Sequence, residues 1–364
     1  MPQRFAVIIA GGHGERFWPA SRRQKPKHLL SLVDSKPLLV QTVERLEGLV
    51  PAENIFILTQ QSQRPTVLKL CSSLRPDRVV GEPVGRDTAA AVGLATLLVR
   101  RIDPEGVFAV LPSDHVIRDK KGFQCTLNAA FEAALQEPLL VTIGIPPKEA
   151  STAYGYLQKG ALHTHVRGQP VYAVRRFIEK PDATTARNYL NTRGGYYWNA
   201  GMFVWQTSAI EQALVTCAPK LAQGLNTLAK RLESGVALDT VLSEHYPKFE
   251  KTSIDYAVME KAGKVVTLEA RFDWDDVGSW PAVAQHLQTD SFDNAVCGQA
   301  FIQDGRSNLV VSRDNHLVAL LGVENLIVIH TDDATLVCPK SKAQDIKQLV
   351  RQLSNGKKPF QKWL

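Results

Sequence analysis

The chain of 364 residues is 44% apolar and 22% charged, which is ordinary for a globular protein large enough to bury one big core and a smaller one. Its formal net charge of +7 would suit a nucleic acid, but much of the excess sits in one early loop and toward the C-terminal end (Lys340, Lys342, Lys347, Arg351, Lys357, Lys358, Lys362); with no basic stripe interleaved with aromatics, nucleic-acid binding is set aside. No run of roughly 18 apolar residues occurs, which excludes a membrane-spanning helix, and five scattered cysteines without a C-x-x-C pair (Cys71, Cys125, Cys217, Cys297, Cys338) point to buried, reduced thiols in a cytoplasmic protein.

Phe5–Ala10 is a continuous apolar run, as expected of a parallel strand covered on both faces. It leads into Gly11, Gly12 and Gly14, where glycine permits positive φ and lets a ligand approach bare amides. Arg16, Arg22, Arg23, Lys25 and Lys27 follow, and such a density of cations beside exposed N–H groups suits a polyphosphate. Two common phosphate motifs are absent. The string G-x-x-x-x-G-K-[ST] does not occur, and the dinucleotide fingerprint fails because Phe17 stands where its third glycine belongs. The acidic residue expected after the second strand is also missing, since Thr59 and Gln60 occupy that place.

Leu38, Leu39, Val43 and Leu46 recur at helical spacing, Ile55–Thr59 reads as a second strand, and Val67, Leu68 and Leu74 mark a second helix. A short strand at Val79–Val80 leads through Glu82 to a helix over Thr88–Arg101. Val107–Leu111 is another buried strand, a helix follows around Phe123–Leu135, and Leu139–Gly144 is a further strand. This alternation implies an α/β fold, Rossmann-like, with an open and mostly parallel sheet covered by helices on both sides. Ligands in such sheets bind beyond the carboxyl ends of strands, which makes the glycine loop, Glu82 to Thr88, and Ser113-Asp114 candidates. Asp114 reads either as a helix N-cap at a turn or as a ligand for a divalent ion.

Beyond Gly144 the alternation loosens. Tyr154-Gly155-Tyr156 is a turn flanked by aromatics, Val171–Ile178 is a strand ending in Glu179-Lys180-Pro181, and Tyr196–Phe203 is a second aromatic segment before another helical region. Rings margined by Asn, Glu and Lys suit a sugar-phosphate pocket, while structural aromatics of a core explain the rings alone equally well. Asp273, Asp275 and Asp276 form a knot of like charges, costly unless a cation or strong donors offset it. One of them with Asp114 would give Mg²⁺ a small set of hard oxygens; an exposed acidic turn is the alternative. From Asn294 the chain becomes short strands (Asn308–Val311, His316–Leu321, Leu326–His330, Thr335–Cys338) closed by a helix near Gln344–Leu353. The domain boundaries expected are therefore 1–285 and 286–364, the latter a small β-structured, coil-like unit that serves packing or oligomer formation.

The segments GGHGERFWPASRRQKPKHLL, GEPVGRDTAAAVGLA, LPSDHVI, YGYL, FIEKP, WNAGMFVW and FDWDDVGSW occur in this order. In them the chain resembles bacterial mannose-1-phosphate guanylyltransferases, of the sugar-1-phosphate nucleotidylyltransferases, over nearly its whole length. The resemblance implies the nucleotidyltransferase fold and a GTP-dependent transfer to mannose 1-phosphate with Mg²⁺. It implies that Gly11, Gly12 and Gly14 cradle the nucleotide, with Arg16 and Lys27 on the triphosphate. Glu82, Arg86, Asp87 and Thr88 would approach guanine and ribose, and Asp114 and Asp276 would hold the metal. Tyr154, Gly155, Glu179, Lys180, Asn199, Ala200 and Gly201 would hold the sugar phosphate. Asp87 and Ala90 stand where the family usually has Asn and Pro, and Ala153 where Gly is frequent. A single activity is expected, since longer relatives carry a further isomerase domain, and a homodimer is a further expectation. Other readings of the residues are a different sugar 1-phosphate (glucose or manno-heptose) or a nucleotide-sugar-binding regulatory subunit without turnover.

Overall fold

The structure, a computed structural model, describes residues 2–12, 14–192, 194–312, 315–355 and 358–364. In chain order it runs β1 (Arg4–Ala10), α1 (Leu38–Arg45), β2 (Ile55–Gln60), α2 (Arg64–Leu70), β3 (Val79–Glu82), α3 (Asp87–Arg100), β4 (Val107–Pro112), α4 (Lys120–Gln136) and β5 (Leu140–Ile145). There follow β6 (Tyr156–Val166), β7 (Gln169–Ile178), α5 (Ala183–Asn191), β8 (Tyr196–Gln206), α6 (Thr207–Cys217), α7 (Pro219–Glu233), α8 (Leu238–His245), β9 (Val265–Glu269) and α9 (Trp280–Ala284). The C-terminal part holds β10 (Ala295–Cys297), β11 (Gln299–Gln303), β12 (Leu309–Ser312), β13 (Leu317–Leu321), β14 (Leu326–His330), β15 (Thr335–Pro339) and α10 (Ile346–Asn355).

The chain gathers into two compact units. The first (Met1–Gly11, Thr42–Ser113, Ile117–Trp274) contains a sheet in the order β3-β2-β1-β4-β8-β5-β9-β7-β6. β1 is paired in parallel on both sides, with β2 and β4, and its apolar run is accordingly buried on both faces. The aromatic segment at Tyr196 becomes β8, which enters antiparallel between β4 and β5. Because β8 runs against its neighbours, its N-terminal half reaches the edge where the parallel strands end: Asn199 lies opposite Gly144 at the end of β5. The carboxyl ends of β1 and β3 share that edge through β2, where Ala10 pairs with Thr59 and Gln60 with Glu82. Below it α3, alanine-rich and buried from Ala89 to Val99, packs in one apolar cluster with Phe5, Phe108 and Trp205.

The second unit comprises Gly12–Gln41, Asp114–Val116 and Asp275–Leu364. Its β10, β12 and β14 stack in parallel, β15 returns antiparallel on β14, and β11 pairs with β13, so the C-terminal strands form β-helix-like coils. Buried asparagines step from coil to coil. Asn294 Oδ1 accepts from Asn308 N at 3.0 Å, and Asn308 Oδ1 accepts from Leu326 N at 3.0 Å. The units do not follow the expected cut at 285/286. Residues 12–41, 114–116 and 275–285 group with the coils because Phe17, Leu30, Val116 and Trp280 share a core with Leu309, Ile327 and Ile329. The expectation of buried thiols also needs correction: Cys71 is buried, but Cys125 and Cys297 are exposed, on the outer side of α4 and at the outward end of β10.

Candidate active site

Gly14 takes φ of 62°, and a Cβ added there would lie 2.5 Å from Lys27 Cβ, so glycine is required for the loop to close onto that lysine. The turn is tied by Phe17 N and Ser21 Oγ, which donate to Gly14 O at 2.8 and 2.7 Å. Gly11, in the first unit, and Gly12 have no neighbour within 4 Å of a built Cβ, leaving their main chain open to approach. Lys27 is only 7% exposed. Its ammonium donates to Asp114 Oδ2 at 2.8 Å and to the Asp276 carbonyl oxygen. Arg16 Nη1 donates to Gly278 O at 2.7 Å. Arg16 Nη1 and Asp276 Oδ2 each lie 3.2 Å from where a Gly278 Cβ would stand, so guanidinium and carboxylate flank that glycine.

Asp114, Lys27, Arg16 and Asp276 therefore meet within the second unit, although they come from three separate stretches of sequence. Burial works to raise the Asp114 carboxyl, yet the Lys27 ammonium outweighs it, with help from His115 and His28, and holds it at about 2. The acidic knot sorts itself by partner. Asp273, in the first unit, accepts from Arg118 N and Asp119 N. Asp275 accepts from Val277 N at 2.7 Å and pairs with His286 Nε2 at 2.8 Å. Burial pushes the Asp275 carboxyl up, but His286 and the amide leave it below its ordinary value. Of the three, Asp276 is the one whose carbonyl takes the Lys27 ammonium and whose carboxylate lies beside Arg16 at Gly278, while Asp275 feels Lys27 only electrostatically. Of the remaining loop cations, Arg22 turns to Asp333 at 2.8 Å and lies over the Trp18 ring, while Arg23 and Lys25 are exposed.

In the first unit, Glu82 ends β3 with its carboxylate buried against the Tyr246 hydroxyl. Burial pushes that carboxyl up to about 7 despite the donor. Arg86 donates to Pro247 O, Thr88 Oγ1 accepts from Ile254 N at 2.9 Å, and Asp87 is exposed with φ of 65°. Ala90, expected near the base, is instead fully buried in the α3 core, so its departure from the family pattern concerns packing.

The expected sugar-phosphate residues also converge. A Cβ on Gly155 would lie 2.4 Å from Glu179 Oε2, so glycine here admits the carboxylate. Asn199 N donates to Gly155 O at 2.8 Å. Lys180, exposed and at φ of 45°, pairs with Glu179. The Asn199 amide is fixed at both ends: its oxygen accepts from Thr142 Oγ1 at 2.9 Å and Gly201 N at 3.2 Å, and its nitrogen donates to Asp255 Oδ1 at 3.0 Å. Tyr154 packs on Trp198 and Trp274 at ring distances of 4.9 and 5.3 Å. Tyr196 stacks on Tyr189 at 4.0 Å, which is packing onto α5. Sequence reasoning missed Asp255, Thr142 and Tyr246. Burial, then Glu179, raises the Asp255 carboxyl to about 6. A carboxylate opening the apolar segment Asp255–Met259 was the available signal.

A profile described as Nucleotidyl transferase matches residues 5–292, and one described as MannoseP isomerase/GMP-like beta-helix domain matches residues 304–353. The mannose-1-phosphate guanylyltransferase of Klebsiella pneumoniae is 35% identical over 354 residues, covering 97% of this chain and 74% of that protein. The chain belongs to the mannose-1-phosphate guanylyltransferase family of nucleotidyl transferases. Another relative, the xanthan biosynthesis protein XanB of Xanthomonas campestris strain B100, is 34% identical over 98% of this chain and 74% of its own length. A crystal structure described as mannose-1-phosphate geranyltransferase from Thermus thermophilus is 34% identical, with TM-score 0.86 over 97% of this chain and 99% of that one. A mannose-6-phosphate isomerase from Helicobacter pylori, at 24% identity and TM-score 0.60 over 75% of this chain and 99% of that one, shares the fold. The guanylyltransferase family thus covers both units of the chain, the loop cations of one and the strand-edge residues of the other.

Proposed function

We propose that this nucleotidyl transferase converts GTP and α-D-mannose 1-phosphate into GDP-mannose and diphosphate. The observation that carries the reading is the buried Lys27 ammonium, held between the Asp114 carboxylate and the Asp276 carbonyl with Arg16 alongside. A preformed cluster of two cations and two carboxylates beside open glycine backbone suits a metal-bound polyphosphate. The attacking group, a phosphate oxygen of the sugar phosphate, is already anionic, so no general base is required. The protein's work is to hold two polyanions in line and to stabilise charge on the leaving diphosphate. Arg16 and Lys27 take the β- and γ-phosphates, and the amides of Gly11, Gly12 and Gly14 cradle the nucleotide. Lys180 neutralises the incoming sugar phosphate, while Tyr154, Gly155, Glu179, Asn199 and Gly201 hold the sugar. Glu82, Arg86, Asp87 and Thr88 receive the base and ribose.

Among the described residues no group of three or more metal-binding side chains gathers. The two carboxylates Asp114 and Asp276, both joined to the Lys27 and Arg16 cluster, are hard oxygen donors of the kind Mg²⁺ takes in small number, keeping waters and phosphate oxygens for the rest of its shell. Bound there, Mg²⁺ would supply charge neutralisation at the α-phosphate and at the nucleophile. Direct transfer through one in-line displacement requires inversion at the α-phosphorus; retention would exclude it. The deciding experiment is a panel of nucleoside triphosphates against mannose, glucose and manno-heptose 1-phosphates, scored by diphosphate release. The highest kcat/KM is expected for GTP with mannose 1-phosphate. A higher value for another pair would reassign the substrates, and binding without diphosphate release would reassign the chain to a sensor.

A further inference from the structure

Glu82 is 5% exposed, and Tyr246, 0% exposed, directs its hydroxyl at Glu82 Oε1 from the turn after α8. The Tyr246 ring is wedged edge-on against Phe249 at 5.4 Å, which fixes where that hydroxyl points. Among the described residues no other side chain hydrogen-bonds the Glu82 carboxylate, so Oε1 is committed while the second oxygen carries no such bond. The other charged group at hand is Arg86, whose guanidinium donates to Pro247 O and acts on Tyr246 electrostatically; from the β2 side, Gln61 N donates to Glu82 O. Burial, with the carboxylate beside it, drives the Tyr246 hydroxyl well above its ordinary value, so it remains a donor. The same burial leaves Glu82 at about 7, where a lost donor would convert it into a protonated acid.

The distinction matters for a purine. The N1–H and N2–H₂ edge of guanine offers donors and needs acceptors, whereas adenine presents an acceptor at N1. An ionised carboxylate accepts only; a protonated one also donates. We propose that Tyr246 is a specificity-determining positioning residue of the base site: its O–H occupies Glu82 Oε1, keeps the group an acceptor, and reserves the other oxygen for the N–H edge of a guanine-type base. This rests on the reading above in which Glu82 faces the base.

Tyr246→Phe retains the ring and removes the donor. In the full chain, kcat/KM for GTP and for ATP would be measured from about pH 5.5 to about pH 9, together with the melting temperature. The KM for GTP should rise roughly tenfold near neutrality, the cost of leaving a buried acceptor without its donor. The acid limb of the GTP profile should move to higher pH, the GTP-over-ATP preference should fall, and the KM for mannose 1-phosphate should stay. A loss equal at every pH, or one falling on kcat alone, would assign Tyr246 to packing and overturn the proposal. Glu82→Gln, run in parallel, separates the two layers. If Glu82→Gln keeps the GTP preference, the base reading itself fails. If Glu82→Gln loses the preference while Tyr246→Phe keeps both preference and pH profile, the role of Tyr246 alone fails.

Discussion

Lys27 shows how a single buried side chain can tie together distant stretches of sequence. An ammonium this buried is costly unless paired, and here Asp114 and the Asp276 carbonyl satisfy it. Lys27→Ala should lose roughly 2–4 kcal/mol of transition-state stabilisation, read as kcat/KM, by analogy with removing one preorganised charge partner. An unchanged kcat/KM would remove the loop from the reaction. Losing Lys27 also removes the main group that opposes burial at Asp114, leaving only His115 and His28 against it, so that carboxyl should climb from about 2. Asp276→Asn should abolish activity or its Mg²⁺ dependence while circular dichroism and melting stay near wild type; wild-type turnover would make the acidic turn structural. Gly155→Ala would drive a methyl to 2.4 Å from Glu179 Oε2, so the KM for mannose 1-phosphate should rise more than that for GTP. Most of these residues were legible because each sits in a short motif whose chemistry is local. Asp255 and Tyr246 were not, since their partners Asn199 and Glu82 lie 56 and 164 positions away.

At the scale of elements, β3 and β8 set the site edge of the first unit by ending, or beginning, where the parallel strands stop. β1 to β5 with their helices were legible from apolar runs alternating with helical spacing. β8 was not, because its aromatics fit a pocket wall as well as a strand, and only pairing to both β4 and β5 decides between them. β7 was legible as the run Val171–Ile178, but its hairpin partner β6 was hidden for another reason: β6 is half-exposed and polar through its middle, so no apolar run announces it. Two carboxyls held in this unit, Glu82 at about 7 and Asp255 at about 6, give it a signed pH dependence. The folded state keeps protons that the unfolded chain has released, so their contribution is full below about pH 4 and is lost as pH rises through 6 to 7. Asp114 acts oppositely: its contribution is present above about pH 4 and lost as pH falls through about 2. Denaturant midpoints taken from pH 5 to pH 8 should fall more steeply for wild type than for Glu82→Gln; parallel lines would contradict the assignment.

For the molecule as a whole, the C-terminal coils are part of what holds the loop of glycines and cations after β1. Trp280, 0% exposed, meets Phe17 edge-on at 5.3 Å in the same core that contains Leu309 and Ile327. Trp280→Ala should cost about 3–5 kcal/mol of stability in that unit, measured by denaturant unfolding. A chain cut after residue 285 should be inactive even though the motifs of the site all remain, because the loop loses much of its core; retained turnover would refute that dependence. By itself the sequence determined the family and the strand–helix alternation, since a glycine turn, a cluster of cations or a periodic apolar stripe each acts through near neighbours. Which aspartate of the acidic knot meets Lys27, which strand runs antiparallel, and which core receives residues 12–41 were decided only by tertiary structure. The physical reason is that periodicity reports that a face is buried, and charge that a partner is needed, but neither names the distant residue that supplies it.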